Sequence, residues 1–201
     1  MGVAIENGQF AWAARPANAQ LAEVCRRLSA AGGGWDDGYI SEYCARAPAW
    51  TRAVTHALRA GAALWFDYGL PRAQYYLPER HDGTLVCHYR HRVHGDPFFK
   101  VGLQDITAWV DFTLLAEASR EAGFELAGFT TQAHFLAGIG IDNEMRLMAR
   151  GDDHQFARLA NQARQLMMPG EMGERFKAMA TLRGLSIPLS GFALQDLRHL
   201  L

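Results

Sequence analysis

The sequence predicts an α/β fold, with helices covering the faces of a sheet. Two observations carry that expectation. Helix-like and strand-like patterns alternate along the chain, and an apolar run at residues 62–68 follows directly on a helix-like segment. With 201 residues, 49% of them hydrophobic, the chain can bury a sizeable core. No internal repeat or low-complexity linker interrupts it, so residues 1–201 read as a single α/β domain.

The elements follow in order. Residues 3–14 alternate around Asn7-Gly8, a strong hairpin signal. Residues 18–31 place Leu21, Val24, Cys25 and Leu28 at helical spacing, and Gly32-Gly33-Gly34 breaks the pattern. A second helix is expected over 47–60, with Pro48 in its first turn and Gly61 as its stop. The strand at 62–68 runs into Asp67-Tyr68-Gly69. Residues 85–91 alternate as a hairpin or edge strand, and residues 106–110 read as extended. Asp111 then suits the N-cap of a helix through Leu114, Leu115 and Ala118 that ends at Gly123. A strand over 124–130 leads to Thr131, which can cap a short helix through Phe135 and Leu136. Helices over 143–149 and 153–167 precede a last strand, 176–182, with Phe176, Ala178, Ala180 and Leu182 on one face. Pro188 and Gly191 break the tail, 186–201, which is expected to dock on the surface.

Charge and cysteines narrow the function classes. Lys plus Arg total 20 and Asp plus Glu 21, so a net charge of -1 gives no support for bulk attraction to nucleic acid or anionic membrane. Cys25, Cys44 and Cys87 are widely spaced, with no Cys-x-x-Cys pair, which argues against a disulfide framework or zinc ribbon. No apolar run is long enough to span a bilayer, and the first residues carry no basic, apolar leader. A cytoplasmic location and no membrane partner are therefore expected.

The densest chemistry lies between Leu64 and Phe112. His88, His91 and His94 recur every three residues, beside His81 and Asp96. On one strand His88 and His94 would face one side and His91 the other, so no metal site is expected. Gly32-Gly33-Gly34 follows a helix rather than a strand and lacks the spacing of a nucleotide loop; it reads as a linker. No Gly-x-Ser-x-Gly elbow supports a serine hydrolase. Carboxylates are the better candidates. Asp67 ends a buried strand, where open α/β sheets place their ligands. Glu42 precedes a helix, and Asp105 and Asp111 flank an extended segment, as a turn residue and an N-cap or as site residues. Met167, Met168 and Met172 read as adaptable packing.

Several strings together resemble the MidA-like family of S-adenosylmethionine-dependent methyltransferases. They are Gly38-Tyr39-Ile40-Ser41-Glu42, Ala47-Pro48-Ala49-Trp50, Phe66-Asp67-Tyr68-Gly69, Gly83-Thr84-Leu85 and His88-Tyr89-Arg90-His91-Arg92. Asp96-Pro97-Phe98, Asp105-Ile106-Thr107-Ala108, Val110-Asp111-Phe112 and Gly128-Phe129-Thr130-Thr131-Gln132 continue the likeness. Met168-Pro169-Gly170-Glu171-Met172-Gly173 and Gly191-Phe192-Ala193-Leu194 complete it, in order, along nearly the whole chain. Trp109 departs from the pattern, which has histidine there.

The resemblance implies the second half of a Rossmann-like methyltransferase sheet with added hairpins and helices. It implies methyl transfer from S-adenosylmethionine to a nitrogen, with a protein arginine side chain as acceptor. Glu42, Asp67 and Tyr68 are the implied catalytic residues, with His88, His91, Asp105 and Asp111 as substrate-binding residues. Family members are about twice as long, and their first half carries a glycine-rich strand-turn for the methyl donor that is not found here. The chain is thus expected to be incomplete and inactive alone, with its missing N-terminal half as a partner. The other expectation is a non-catalytic binding module, or a truncated fragment, that retains the substrate-facing half.

Overall fold

The computed structural model describes residues 1–31 and 34–201; Gly32 and Gly33 of the glycine run lie outside the described residues. The chain forms two compact units, Met1–Tyr43 with Tyr76–Trp109, and Cys44–Tyr75 with Val110–Leu201.

The first unit is built from hairpins. β1 (Gly2–Glu6) and β2 (Gln9–Ala13) pair antiparallel around Asn7 and Gly8. Both turn residues take positive φ, at 52° and 77°, the geometry that favours Asn-Gly in two-residue hairpins. α1 (Ala19–Ala31) follows, and the Asn18 side chain accepts from the Leu21 N–H at its start.

The second unit holds the larger sheet. α2 (Ala47–His56) stops four residues short of the expected end, because Leu58 already bonds back to Thr55 in a turn. Gly61, at φ 149°, opens the strand rather than closing the helix. That strand is β3 (Gly61–Leu70), followed by the single turn α3 (Arg72–Tyr75).

The chain then adds the first unit's second sheet. β4 (Val86–Tyr89) pairs antiparallel with both β5 (Arg92–His94) and β6 (Asp105–Thr107). The strand expected to reach His91 ends at Tyr89, since Arg90 and His91 form the turn with φ of 47° and 63°. This two-residue turn inverts the expected parity. His88 lies opposite Val93, and Cys87 lies opposite His94, so His88 and His94 occupy opposite faces.

Back in the second unit come β7 (Val110–Asp111), α4 (Phe112–Glu121), β8 (Glu125–Thr131), α5 (Gln132–Gly138), α6 (Ile141–Ala149), α7 (Asp153–Met167), α8 (Met172–Arg175) and β9 (Phe176–Arg183). The sheet order is β7-β3-β9-β8. β9 runs antiparallel between β3 and β8, and β7 joins β3 in parallel at Gly69 and Leu70 only. The expected one-sided pattern of β9 is too simple: all six residues between its ends are buried. On one face Met179 packs with Trp65, Phe112, Leu115 and Phe129. On the other, Ala178 and Ala180 admit the rings of Phe135 and Phe192. A central strand covered on both sides has no solvent face.

The two edges of this sheet are treated differently. Along β8, the tail covers the backbone: Leu197 N–H donates to the Phe129 carbonyl at 2.6 Å, and Arg198 Nη1 to the Leu126 carbonyl at 3.2 Å. Asp196 accepts from the Phe129 N–H. Along β3, no described strand pairs with Gly61–Tyr68 on the side away from β9. Alternate residues there direct N–H and C=O groups outward. Leu64 and Phe66 on that strand are 51% and 44% exposed.

Gly69 fixes the junction of β3 and β7. A Cβ at this position would lie 2.2 Å from the Val110 carbonyl oxygen and 2.9 Å from the Val110 nitrogen. Backbone cannot yield to such a clash as a flexible side chain would. Gly69→Ala is therefore expected to destabilise the chain by about 1–3 kcal/mol in urea denaturation. An unchanged midpoint and slope would show that the strands do not pack this closely.

Candidate active site

The carboxyl-terminal end of β3 gathers ionisable groups on one face of the sheet. Asp67 lies directly opposite Lys177 on β9, and Lys177 lies opposite Thr131 on β8. Directly opposed side chains share a face, with Cβ atoms about 4.5–5.5 Å apart. A row Asp67, Lys177, Thr131 thus crosses three neighbouring strands. The Thr131 hydroxyl extends it to His134 Nδ1 at 2.8 Å, while also accepting from the His134 N–H as the cap of α5.

Burial shapes the row's electrostatics. Desolvation raises the pKa of the Asp67 carboxyl, only partly opposed by the hydrogen bond its Oδ1 accepts from the Tyr68 N–H at 2.8 Å. Lys177 is only 9% exposed. Desolvation lowers its pKa, while the nearby Glu174 carboxylate pulls it back. Its ammonium donates to the Glu174 carbonyl oxygen. Tyr68, next along β3, stands edge-on against Phe176 with ring centroids 5.2 Å apart. Lys177 went unnoticed in the sequence, where a lysine in a strand reads as solvent-facing. Its signal is its setting, as one of two lysines in the chain and flanked by Phe176 and Ala178.

Asp111 is buried and does the work of a cap. Its Oδ1 accepts from the Leu114 N–H at 3.0 Å, and Oδ2 faces Arg72 Nε at 3.4 Å. Arg72 completes the cluster with a two-pronged contact to Glu117, at 2.7 and 2.6 Å. Hydrogen bonding to Glu117 is the main cause of the raised Arg72 pKa. At Asp111 desolvation outweighs the guanidinium, so that carboxyl is raised as well.

Glu42, His88, His91 and Asp105 belong to the first unit. The Glu42 carboxylate clasps the turn at Gly83. It accepts from the Thr84 N–H at 2.9 and 3.0 Å, the Thr84 hydroxyl at 3.1 Å and the Leu85 N–H at 2.9 Å. The Thr84 hydroxyl in turn accepts from the Trp109 N–H at 3.0 Å. Gly83 has φ 75°, and a Cβ on it would strike Glu42 Oε1 at 2.2 Å. His88 and Asp105 are brought opposite each other across β4 and β6, both exposed. His91 is in the β4–β5 turn, away from that pair's strand positions. Among the described residues, no group of three or more His, Cys, Asp or Glu is arranged to hold a metal ion. No helix among them is long and apolar enough to cross a membrane.

Comparison with known proteins places this geometry. Residues 1–130 match the family of S-adenosyl-L-methionine-dependent methyltransferases. The mitochondrial protein arginine methyltransferase NDUFAF7 of Danio rerio is 35% identical over 127 residues, 61% of this chain and 27% of that protein. The Bos taurus protein is 35% identical over 130 residues, 62% of this chain and 26% of its own length. A Burkholderia thailandensis protein crystallised with S-adenosyl-homocysteine superimposes with a TM-score of 0.91 at 44% identity. All of this chain is covered, and 51% of that one. The chain therefore spans about half the length of this structural relative and under a third of the curated ones.

The raised pKa of Asp67 makes a prediction with a definite sign. A carboxyl whose folded pKa lies above its unfolded value stabilises the fold below the unfolded pKa, and loses that contribution as pH rises through the folded one. Asp67→Asn keeps the acceptor for Tyr68 without the buried charge. It is expected to raise Tm relative to the parent at pH 7 to 8, with the difference closing as pH falls below about 4. A pH-independent difference, or a lower Tm at neutral pH, would contradict the assigned burial cost.

Proposed function

The chain belongs to the S-adenosyl-L-methionine-dependent methyltransferase family matched over residues 1–130, and we propose that it forms the acceptor-side half of such an enzyme. The reaction proposed is methylation of a nitrogen on a protein arginine side chain. The observation that carries this reading is the open edge of β3, which ends in Asp67-Tyr68-Gly69. An apolar strand with an unpaired edge is built to be continued by another strand. Ligands of open α/β sheets bind at the strand ends where Asp67 sits.

The carboxyl end of β3 offers the methyl donor no close approach to a glycine backbone. Of the glycines in this chain, Gly69 is the one at the carboxyl end of β3, and the space a Cβ would fill there is already taken by the Val110 backbone. That closes off the close ligand approach a donor-binding glycine provides. We therefore assign the donor site to a glycine-rich half joined in cis or in trans. S-adenosylmethionine, when bound there, supplies an electrophilic methyl group.

The roles of this chain's residues follow from where they stand. Asp67 accepts a hydrogen bond from the acceptor guanidinium, orients its nitrogen, and takes up the proton lost on methylation. A carboxyl with a raised pKa suits that second task better than a fully solvated one. Tyr68, braced by Phe176, shapes one wall of the acceptor channel. Lys177, in register with Asp67 on β9, has its ammonium engaged by the Glu174 carbonyl and borders the same face of the sheet. Glu42 acts as a positioning residue through the Gly83–Leu85 turn and Trp109. His88, His91 and Asp105, on the first unit, are secondary candidates for contacts to the acceptor protein, whereas Asp111, spent on the start of α4 and on Arg72, is structural.

The test is methyl transfer by this chain joined to the glycine-rich half of a full-length relative, read as label passed from S-adenosylmethionine to a protein lysate. The joined protein should transfer label to arginine, and Asp67→Asn should lower kcat at least about a hundredfold while leaving donor binding intact. Normal turnover by that variant would remove Asp67 from the mechanism. A joined protein that binds donor and never transfers label would favour the non-catalytic binding module.

A further inference from the structure

The β4–β5 hairpin carries a cavity that the proposed reaction does not use. Its volume is about 740 Å³, lined chiefly by Tyr89, Arg90, Arg92, His94, Asp96 and Phe99. Tyr89 and Arg92 are opposed across the hairpin, and His94 follows on the same face. Phe99 closes over that face, edge-on to Tyr89 at 5.8 Å and to His94 at 5.3 Å.

The polar inventory of this cavity is one-sided. Arg90 and Arg92 are exposed, and neither has an ion-pair partner among the described residues. The Arg90 guanidinium rests over the Tyr89 ring at 5.4 Å, which stiffens its long side chain. His94 Nδ1 accepts from the Asp96 N–H at 3.3 Å, so the neutral ring carries its hydrogen on Nε2. That Nε2 is buried and has no hydrogen-bond partner. Asp96 is the cavity's one carboxylate, and its Oδ1 is turned to the Phe98 N–H at 2.9 Å. Two guanidinium forks without an ion-pair partner, beside the rings of Tyr89 and Phe99, lack an anionic acceptor.

The turn adds an independent indication. Both of its residues, Arg90 and His91, hold positive φ, which costs less for glycine or asparagine. The Arg90 guanidinium is kept at the tip in spite of that cost.

We propose that this cavity binds a glutamate or aspartate side chain from an acidic segment of the protein acceptor. The inference rests on the preceding reading only in taking the partner to be a protein. A peptide is favoured over nucleic acid because the chain's net charge is -1 and the two arginines flank one open, aromatic-lined cavity rather than a track. The carboxylate engages Arg92 in the two-pronged manner with the Arg90 guanidinium beside it, while the acidic residue's methylene groups lie against Tyr89 and Phe99.

Fluorescence anisotropy on this chain tests the proposal, with a labelled peptide of alternating glutamate and glycine and its glutamine counterpart. The glutamate peptide should bind at least about tenfold more tightly, and Arg92→Glu should erase that preference. Arg90→Glu, at an exposed turn, should weaken binding in the same direction and guards against misfolding at Arg92. Arg27→Glu, on α1, should change nothing. Equal affinity for the two peptides, or tighter binding of a single-stranded oligonucleotide than of the glutamate peptide, would overturn the proposal. Failure here leaves methyl transfer by the joined protein standing, and failure of that transfer leaves peptide binding readable.

Discussion

The backbone of β3 is the constraint on which the second unit depends. A strand in a sheet has two edges to satisfy, and β3 satisfies only one along its length. β9 fills that edge from Gly61 to Tyr68 and is itself buried on both faces. The far side of the sheet shows what a finished edge looks like, since Asp196, Leu197 and Arg198 bind the backbone of β8. The same chain that covers one edge so fully leaves Leu64 and Phe66 half-exposed on the other strand. The open edge and the ionisable row meet at the same strand end. A segment that extends the sheet there would lie beside Asp67.

The charges near that end are held against the preference of the interior. Asp67 and Lys177 both have pKa values moved by desolvation toward their neutral forms. A sheet selected for stability alone would carry apolar residues at these two registered positions. Asp111 and Glu42 tell a different story. Each spends its acceptor oxygens on local backbone: Asp111 on the start of α4, Glu42 on Thr84 and Leu85. Such carboxylates fix the turns that bring other side chains into place, and the cost of losing them is structural.

Where local chemistry decides the structure, the sequence was enough. Asn7-Gly8 specifies its turn because both residues tolerate positive φ, and Asp111 and Thr131 announce the helices they cap. The strand into Asp67-Tyr68-Gly69 was legible from its apolar run bounded by glycine. It is not the buried strand expected: only Trp65 and Gly69 of β3 are buried, because one edge is open. Register is not local, and there the reading fell short. The pairing of Lys177 with Asp67 is set by antiparallel alignment of strands more than a hundred residues apart. The Arg90-His91 turn has neither glycine nor asparagine to mark it, so one longer strand was expected. The Glu42 clasp spans 42 residues and leaves no periodic trace.

The central claim is that this chain carries the acceptor side of a methyltransferase and needs another segment to hold the methyl donor. Calorimetric titration of the purified, folded chain with S-adenosylmethionine and S-adenosyl-homocysteine tests it most directly. The account predicts no binding by the chain alone, and stoichiometric binding once the glycine-rich half is added. Saturable one-to-one binding by the chain alone would contradict it, and would place the donor site among the residues described here.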